Sequence, residues 1–252
     1  MKTRWIVFVA VVLGVMIVNS VSAQTYVWKK YDDFNSGVID PQKWDIDSSS
    51  ATISIENGKA KFVHNPGFPG DNAWLEINKG ITNVWGIKAT IQFESCTAPA
   101  PDYTDVRARF GAIIGMEAAN PTNRIWASLG IEPYYQNNTY PRLYGFIDVF
   151  HLIPSPDELI TYLFDSYFPR ETGEVPNDVI GIPLTITEQW TAKSVKFTVT
   201  NKGKITYNYD KTYKVKPITV AAQAFVGIGT LSDSGLGTCT VYFDDVYVLR
   251  KQ

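Results

Sequence analysis

Tyr31-Asp32-Asp33-Phe34-Asn35-Ser36-Gly37-Val38-Ile39-Asp40-Pro41-Gln42-Lys43-Trp44 stands near the start of the chain. Val241-Tyr242-Phe243-Asp244-Asp245-Val246-Tyr247-Val248-Leu249-Arg250 stands at its end. Between them the chain reads as strands with turn punctuation. Ala51–Glu56, then Asn57-Gly58, then Lys59–Val63 is a hairpin signal, because Asn-Gly suits the positive-φ turn that matches strand twist. Val195–Val199 alternates, breaks at Asn201-Lys202-Gly203 and resumes as Ile205–Tyr209, which predicts a second hairpin. Further strands are expected over Ala73–Ile77, Gly86–Phe93, Val106–Met116, Ile125–Glu132, Leu143–Phe150, Leu184–Thr187, Ala224–Gly229 and Thr240–Leu249. Pro156–Phe164 reads equally as one short helix or as a strand. Many short strands, 18 glycines and 14 prolines predict an all-β, two-sheet antiparallel β-sandwich.

The two quoted stretches resemble the opening and closing strands of the concanavalin A-like lectin/glucanase superfamily, a jelly roll whose first and last strands lie together. The opening is also similar to family 16 glycoside hydrolases, which start with an acidic-Phe-Asn-Gly segment and an Ile-Asp-x-x-x-Trp segment. That family carries its nucleophile and acid/base on one strand as Glu-x-Asp-x-x-Glu, and no segment here spells that run. Glu132 is followed by Pro133 and Glu117 by Ala118, so each stands alone on its strand. A carboxylate pair for glycoside cleavage therefore has to assemble across strands, from Glu117, Glu132 and Asp148. Jelly-roll polysaccharide lyases share only the strand pattern. The superfamily resemblance implies a structural calcium ion tying the first strand to the last, with Asp33, the Gly37 carbonyl and Asp244 as oxygen ligands. The alternative is that these acids cap turns.

Residues 1–23 read as a cleavable signal peptide: Lys2 and Arg4, an apolar run from Trp5 to Val18, then Val21-Ser22-Ala23. That run of 14 residues is shorter than the roughly 20 a spanning helix needs. The expectation is one domain over 24–252, secreted or periplasmic, with no membrane span in the mature protein. Without Lys2 and Arg4, 21 basic side chains face 25 acidic ones, which argues against a nucleic-acid partner. Cys96 and Cys239 end and begin apolar strands. Export favours a bridge between them; two buried thiols are the alternative.

Parity locates the candidate site, because side chains alternate across a strand. Ile125, Ala127, Leu129 and Ile131 form a core face; Trp126, Ser128, Gly130 and Glu132 form its reverse. Leu143, Gly145, Ile147 and Val149 likewise oppose Arg142, Tyr144, Phe146, Asp148 and Phe150. Ala108, Phe110, Ala112, Ile114 and Met116 oppose Arg107, Arg109 and Glu117. If the three strands are neighbours, their second faces make a surface of rings, arginines and carboxylates, suited to stacking a pyranose and bonding its hydroxyls. The expected ligand-binding residues are Arg109, Trp126, Glu132, Tyr135, Tyr144 and Asp148, the ligand a poly- or oligosaccharide. The function expected is glycan binding without catalysis. The alternatives are a polysaccharide-degrading enzyme or an adhesive surface protein.

Overall fold

The computed structural model describes residues 25–48, 51–64, 72–77, 84–97, 110–117, 124–135, 140–150, 158–167, 180–191, 194–201, 209–214, 223–230 and 238–252. Among them every regular element is a strand. In chain order these are β1 (Tyr26–Asp32), β2 (Trp44–Ser48), β3 (Ala51–Glu56), β4 (Lys59–His64), β5 (Asn72–Ile77), β6 (Val84–Thr97), β7 (Phe110–Glu117) and β8 (Arg124–Tyr135). They continue with β9 (Tyr140–Phe150), β10 (Glu158–Tyr167), β11 (Leu184–Trp190), β12 (Ser194–Asn201), β13 (Tyr209–Lys214), β14 (Gln223–Thr230) and β15 (Thr238–Lys251).

The strands form two antiparallel sheets. The terminal sheet runs β13-β12-β11-β6-β15-β4-β3, with β1 also paired to β15. The central sheet runs β10-β9-β8-β7-β14-β5-β2. Their inner faces make one core. Phe62, Ile87, Phe93, Ile186, Phe197 and Phe243 come from the terminal sheet, and Leu75, Ile114, Ile125, Leu129, Val226 and Ile228 from the central one, all buried. β11 shows the alternation in pure form, with Leu184, Ile186, Glu188 and Trp190 buried and the residues between them half-buried.

The opening stretch folds as a packed corner. Asp32 is buried; its carboxylate accepts the Trp44 indole N–H at 2.8 Å and the Phe34 amide at 2.9 Å. Phe34, at φ +53°, stacks on Trp44 with ring centroids 5.7 Å apart. Register then sets Asp32 opposite Val246, so the first and last strands do lie together. The Asn57-Gly58 turn has φ of 51° and 72°, as a tight hairpin between β3 and β4 requires.

β12 pairs with Tyr209–Lys214, from Ser194 opposite Lys214 to Val199 opposite Tyr209, in keeping with the expected second hairpin; 205–208 of its return strand lie outside the described residues. The stretch after Pro156 is strand β10 rather than helix, completing the edge of the central sheet against β9. Cys96 and Cys239 stand opposite each other on β6 and β15 and are disulfide-bonded, Cα–Cα 4.1 Å. Residues 1–23, read as a signal peptide, lie outside the described residues. No helix among the described residues is long and apolar enough to cross a membrane.

Candidate functional site

β7, β8 and β9 are consecutive neighbours in the central sheet, as the parity argument requires. Ile125, Ala127, Leu129 and Ile131 are all buried in the core, so Trp126 and Ser128 belong to the sheet's outward face. Register continues that face across the strands. One row runs Asp148, Trp126, Gly115, Phe225, Glu76 and Asp45 from β9 to β2. The next row runs Phe146, Ser128, Ile113, Gly227, Trp74 and Asp47.

Three rings meet on this face. Trp74 and Trp126 are half-buried with centroids 5.8 Å apart; Phe225 is 4.9 Å from Trp74 and 6.0 Å from Trp126. β5 and β8 are three strand spacings apart, about 14 Å, so the two indoles lean toward each other over β7 and β14. They cover Phe225, which is only 4% exposed although it faces away from the core. Glycine gives them room. A Cβ at Gly227 would lie 2.3 Å from Trp74 Cε3 and 2.3 Å from the Ala73 carbonyl, so the ring rests directly on bare backbone. In the sequence Trp74 reads only as the end of a loop candidate for carbohydrate contact, Asn65–Trp74, and Phe225 was missed, because their strands are distant in the chain from β8. Only the pairing of β14 between β5 and β7 brings them to Trp126.

Four polar side chains are buried among the described residues: Asp32, His64, Ser128 and Glu188. His64 and Glu188 take inner-face positions, and Asp32 is bonded to Trp44 and Phe34. Ser128 differs. It lies on the outward face, 2% exposed, and its Oγ has no hydrogen-bond partner. An orphaned buried hydroxyl costs on the order of 1–3 kcal/mol.

The remaining expected residues are placed by backbone register. Asp148 is opposite Trp126, Tyr144 opposite Gly130, Glu132 opposite Arg142, Glu117 opposite Arg124, and Tyr135 opposite Tyr140. Arg109 lies outside the described residues. Register also separates the three candidate carboxylates. Glu132 is six residues along β8 from the partner of Asp148, about 20 Å at strand rise, far beyond the roughly 5–9.5 Å that glycosidic carboxyl pairs span. Glu117 is still farther from Glu132. Glu117 and Asp148, two strands and two residues apart, have Cα atoms about 12 Å apart.

The expected calcium ligands sit where β1 meets β15, and Lys30 already stands among the acids there. Its ammonium is 2.7 Å from Asp245 Oδ1 and 3.7 Å from Asp33 Oδ2. The Asp245 hydrogen bond holds Lys30 above the usual lysine range, and the Asn35 amide holds the Asp33 carboxyl below its own. Asp244 Oδ1 accepts the Asp245 amide at 2.7 Å, and burial pushes its carboxyl up. The Gly37 amide donates to the Phe34 carbonyl at 3.2 Å. Among the described residues no three His, Cys, Asp or Glu side chains stand close enough to hold a metal ion. The set as it stands does not fit a hard cation, which would have to displace Lys30.

No protein-family model and no curated sequence matches the chain. Solved structures do match in fold. A non-specific endo-β-1,3(4)-glucanase of glycoside hydrolase family 16 aligns over 89% of this chain and 92% of its own, at 13% identity and TM-score 0.56. A laminarinase catalytic domain from Thermotoga petrophila RKU-1 covers 91% and 99% at 13% identity, TM-score 0.47. The κ-carrageenase of Pseudoalteromonas carrageenovora covers 94% and 100% at 11% identity, TM-score 0.47. The fold is the concanavalin A-like jelly roll of the family 16 type.

Proposed function

We propose that this chain is an exported carbohydrate-binding protein that holds an oligo- or polysaccharide on the outward face of its central sheet without cleaving it. The observation that carries the reading is the three-ring platform of Trp74, Trp126 and Phe225 beside the orphaned Ser128 hydroxyl. Partly exposed indoles offer flat apolar surface to the C–H face of a pyranose. Asp148, Tyr144, Glu132 and Tyr135, on the neighbouring strands β8 and β9, extend the same surface in this reading. The disulfide fits an oxidising compartment, in keeping with export after removal of residues 1–23.

A glycan array on the mature protein, with a reducing-sugar assay alongside, tests the proposal. Binding that disappears in Trp126→Ala, with the fold retained, is the expected outcome. Release of reducing ends would replace it with the hydrolase reading, which the family 16 fold supports. The acid and base would then come from Glu117 and Asp148, and Asp148→Asn would abolish turnover while keeping binding.

A further inference from the structure

Among the described residues five strands have a strand neighbour on one side only: β1, β2, β3, β10 and β13. Four of them carry the devices that keep a sheet edge from pairing with another chain. β1 holds Lys29 and Lys30, β2 holds Asp45 and Asp47, and β13 holds Asp210, Lys211 and Lys214. β10 holds Glu158 and Asp165, and its register shifts between Tyr162 and Phe164. β3 differs. Its register against β4 is unbroken, and Ala51-Thr52-Ile53-Ser54-Ile55 contains no charge and no proline. Glu56 stands at the hairpin end, ion-paired with Lys61.

The Asn57-Gly58 turn fixes which backbone groups of β3 are left over. The pair that closes a two-residue hairpin, here Glu56 and Lys59, is hydrogen-bonded, and bonded pairs then alternate along the strands. Ile55 and Ile53, opposite Ala60 and Phe62, fall at the unbonded positions, so their N–H and C=O groups point to the free edge. Apolar surface lies along the same margin. β2 and β3, joined by residues 49–50, end the two sheets, and Ile46 has the parity of buried Trp44 yet is 57% exposed. Ile53 and Ile55 are only half-buried.

We infer that β3 is a self-association edge, to which β3 of a second copy of this chain adds as an antiparallel strand. A two-fold axis at Ile53 sets Ile53 against its own copy, Thr52 against Ser54 and Ala51 against Ile55. The outward groups of Ile53 and Ile55 then find partners, and no two like charges meet. The copy also matches apolar to apolar and hydroxyl to hydroxyl, which an unrelated strand does only by chance. Paired positions share a face, so both ring platforms turn the same way. On the glycan-binding reading, one polysaccharide can then meet two of them.

β3 is six residues long, so the contact belongs to the weak class of interfaces. Sedimentation velocity on the mature protein should show monomer at about 1 μM and a growing dimer fraction toward about 1 mM. Thr52→Lys/Ser54→Lys changes two exposed side chains and sets like charges opposite each other across the axis. It should abolish the dimer with little change in melting temperature. Thr52→Glu/Ser54→Glu should do the same alone, and an equimolar mixture of the two variants should dimerise again. Wild type that stays monomeric at every concentration, a lysine variant that dimerises like wild type, or a mixture that stays monomeric overturns the inference.

Discussion

The two sheets turn aromatic rings outward on opposite sides of the sandwich, and they use them differently. On the terminal sheet the rings are taken by the protein's own lysines. Lys88 lies 4.0 Å over Tyr247 and 5.3 Å from Trp28; Lys59 and Lys61 lie 5.8 Å and 5.9 Å from Tyr242. Burial under these rings holds Lys88 below the usual lysine range. Among the described residues every cation–ring contact and the disulfide belong to this sheet. On the outward face of the central sheet Trp74, Trp126 and Phe225 pack on one another, and the Ser128 hydroxyl beside them has no hydrogen-bond partner. We take the terminal sheet, whose lysines lie over its own rings, as scaffold and the ring platform of the central sheet as the proposed site.

The largest effect expected belongs to the scaffold. Cys96 and Cys239 are 143 residues apart, and chain-entropy reasoning puts the stabilisation from closing so long a loop at about 4–5 kcal/mol at most. Cys96→Ser/Cys239→Ser should therefore lower the melting temperature substantially. If the two faces are independent, glycan affinity measured well below that temperature stays as in wild type. A matching loss of affinity would show that the terminal sheet shapes the site.

Trp126→Ala comes next. Truncating a central aromatic anchor typically costs about 2–4 kcal/mol of binding, so affinity should fall on the order of 100-fold. Trp28→Ala, the counterpart on the terminal sheet, should leave binding untouched and cost stability alone, since it strips the ring beside Lys88. Isothermal titration and thermal melts on both variants separate the two roles. Equal effects on binding would abolish the distinction between the faces.

The contrast sharpens at two glycines, each under a tryptophan. At Gly86 a Cβ would lie 2.8 Å from the Glu188 carbonyl and 3.0 Å from Trp28 Cη2; at Gly227 both nearest atoms are at 2.3 Å. Overpacking of this kind costs about 1–3 kcal/mol. Both alanine variants should melt earlier, Gly227→Ala more so. Only Gly227→Ala should also weaken glycan binding, because the ring it displaces belongs to the platform.

The sandwich was legible in the sequence where local chemistry determines it. Asn57-Gly58 dictates its turn without help from the rest of the fold, and the buried Asp32–Trp44–Phe34 corner is a folding motif spelled in one short stretch. Parity assigned the two faces of β8 because alternation is a property of any strand. What parity could not supply was pairing. Trp126 was placed on its face and Trp74 was noted only in a loop candidate; Trp74 and Phe225, which complete the platform, become its neighbours only through the strand order β8-β7-β14-β5.

The smallest effect expected lies at Asp244, on the terminal sheet, where the calcium proposal meets the lysine that stands in its place. Burial raises this carboxyl above its ordinary 3.8. Between 3.8 and its folded value the folded state keeps a proton that the unfolded chain has lost, so stability falls as pH rises through that window. At neutral pH the cost is complete, yet it is small, because the group is only half-buried. Asp244→Asn removes the charge and should raise stability by only a few tenths of a kcal/mol, with the gain vanishing in acid as wild type protonates. A calcium ion reverses every sign: Asp244→Asn would then lower the melting temperature, and excess EDTA would lower that of wild type by mass action. With Lys30 bridging Asp33 and Asp245, the expected result is no response to EDTA in wild type. A calcium response should be gained in Lys30→Gln, where the acids lose their internal cation. A wild-type melting curve that shifts down on chelation would return the ion to the β1–β15 junction.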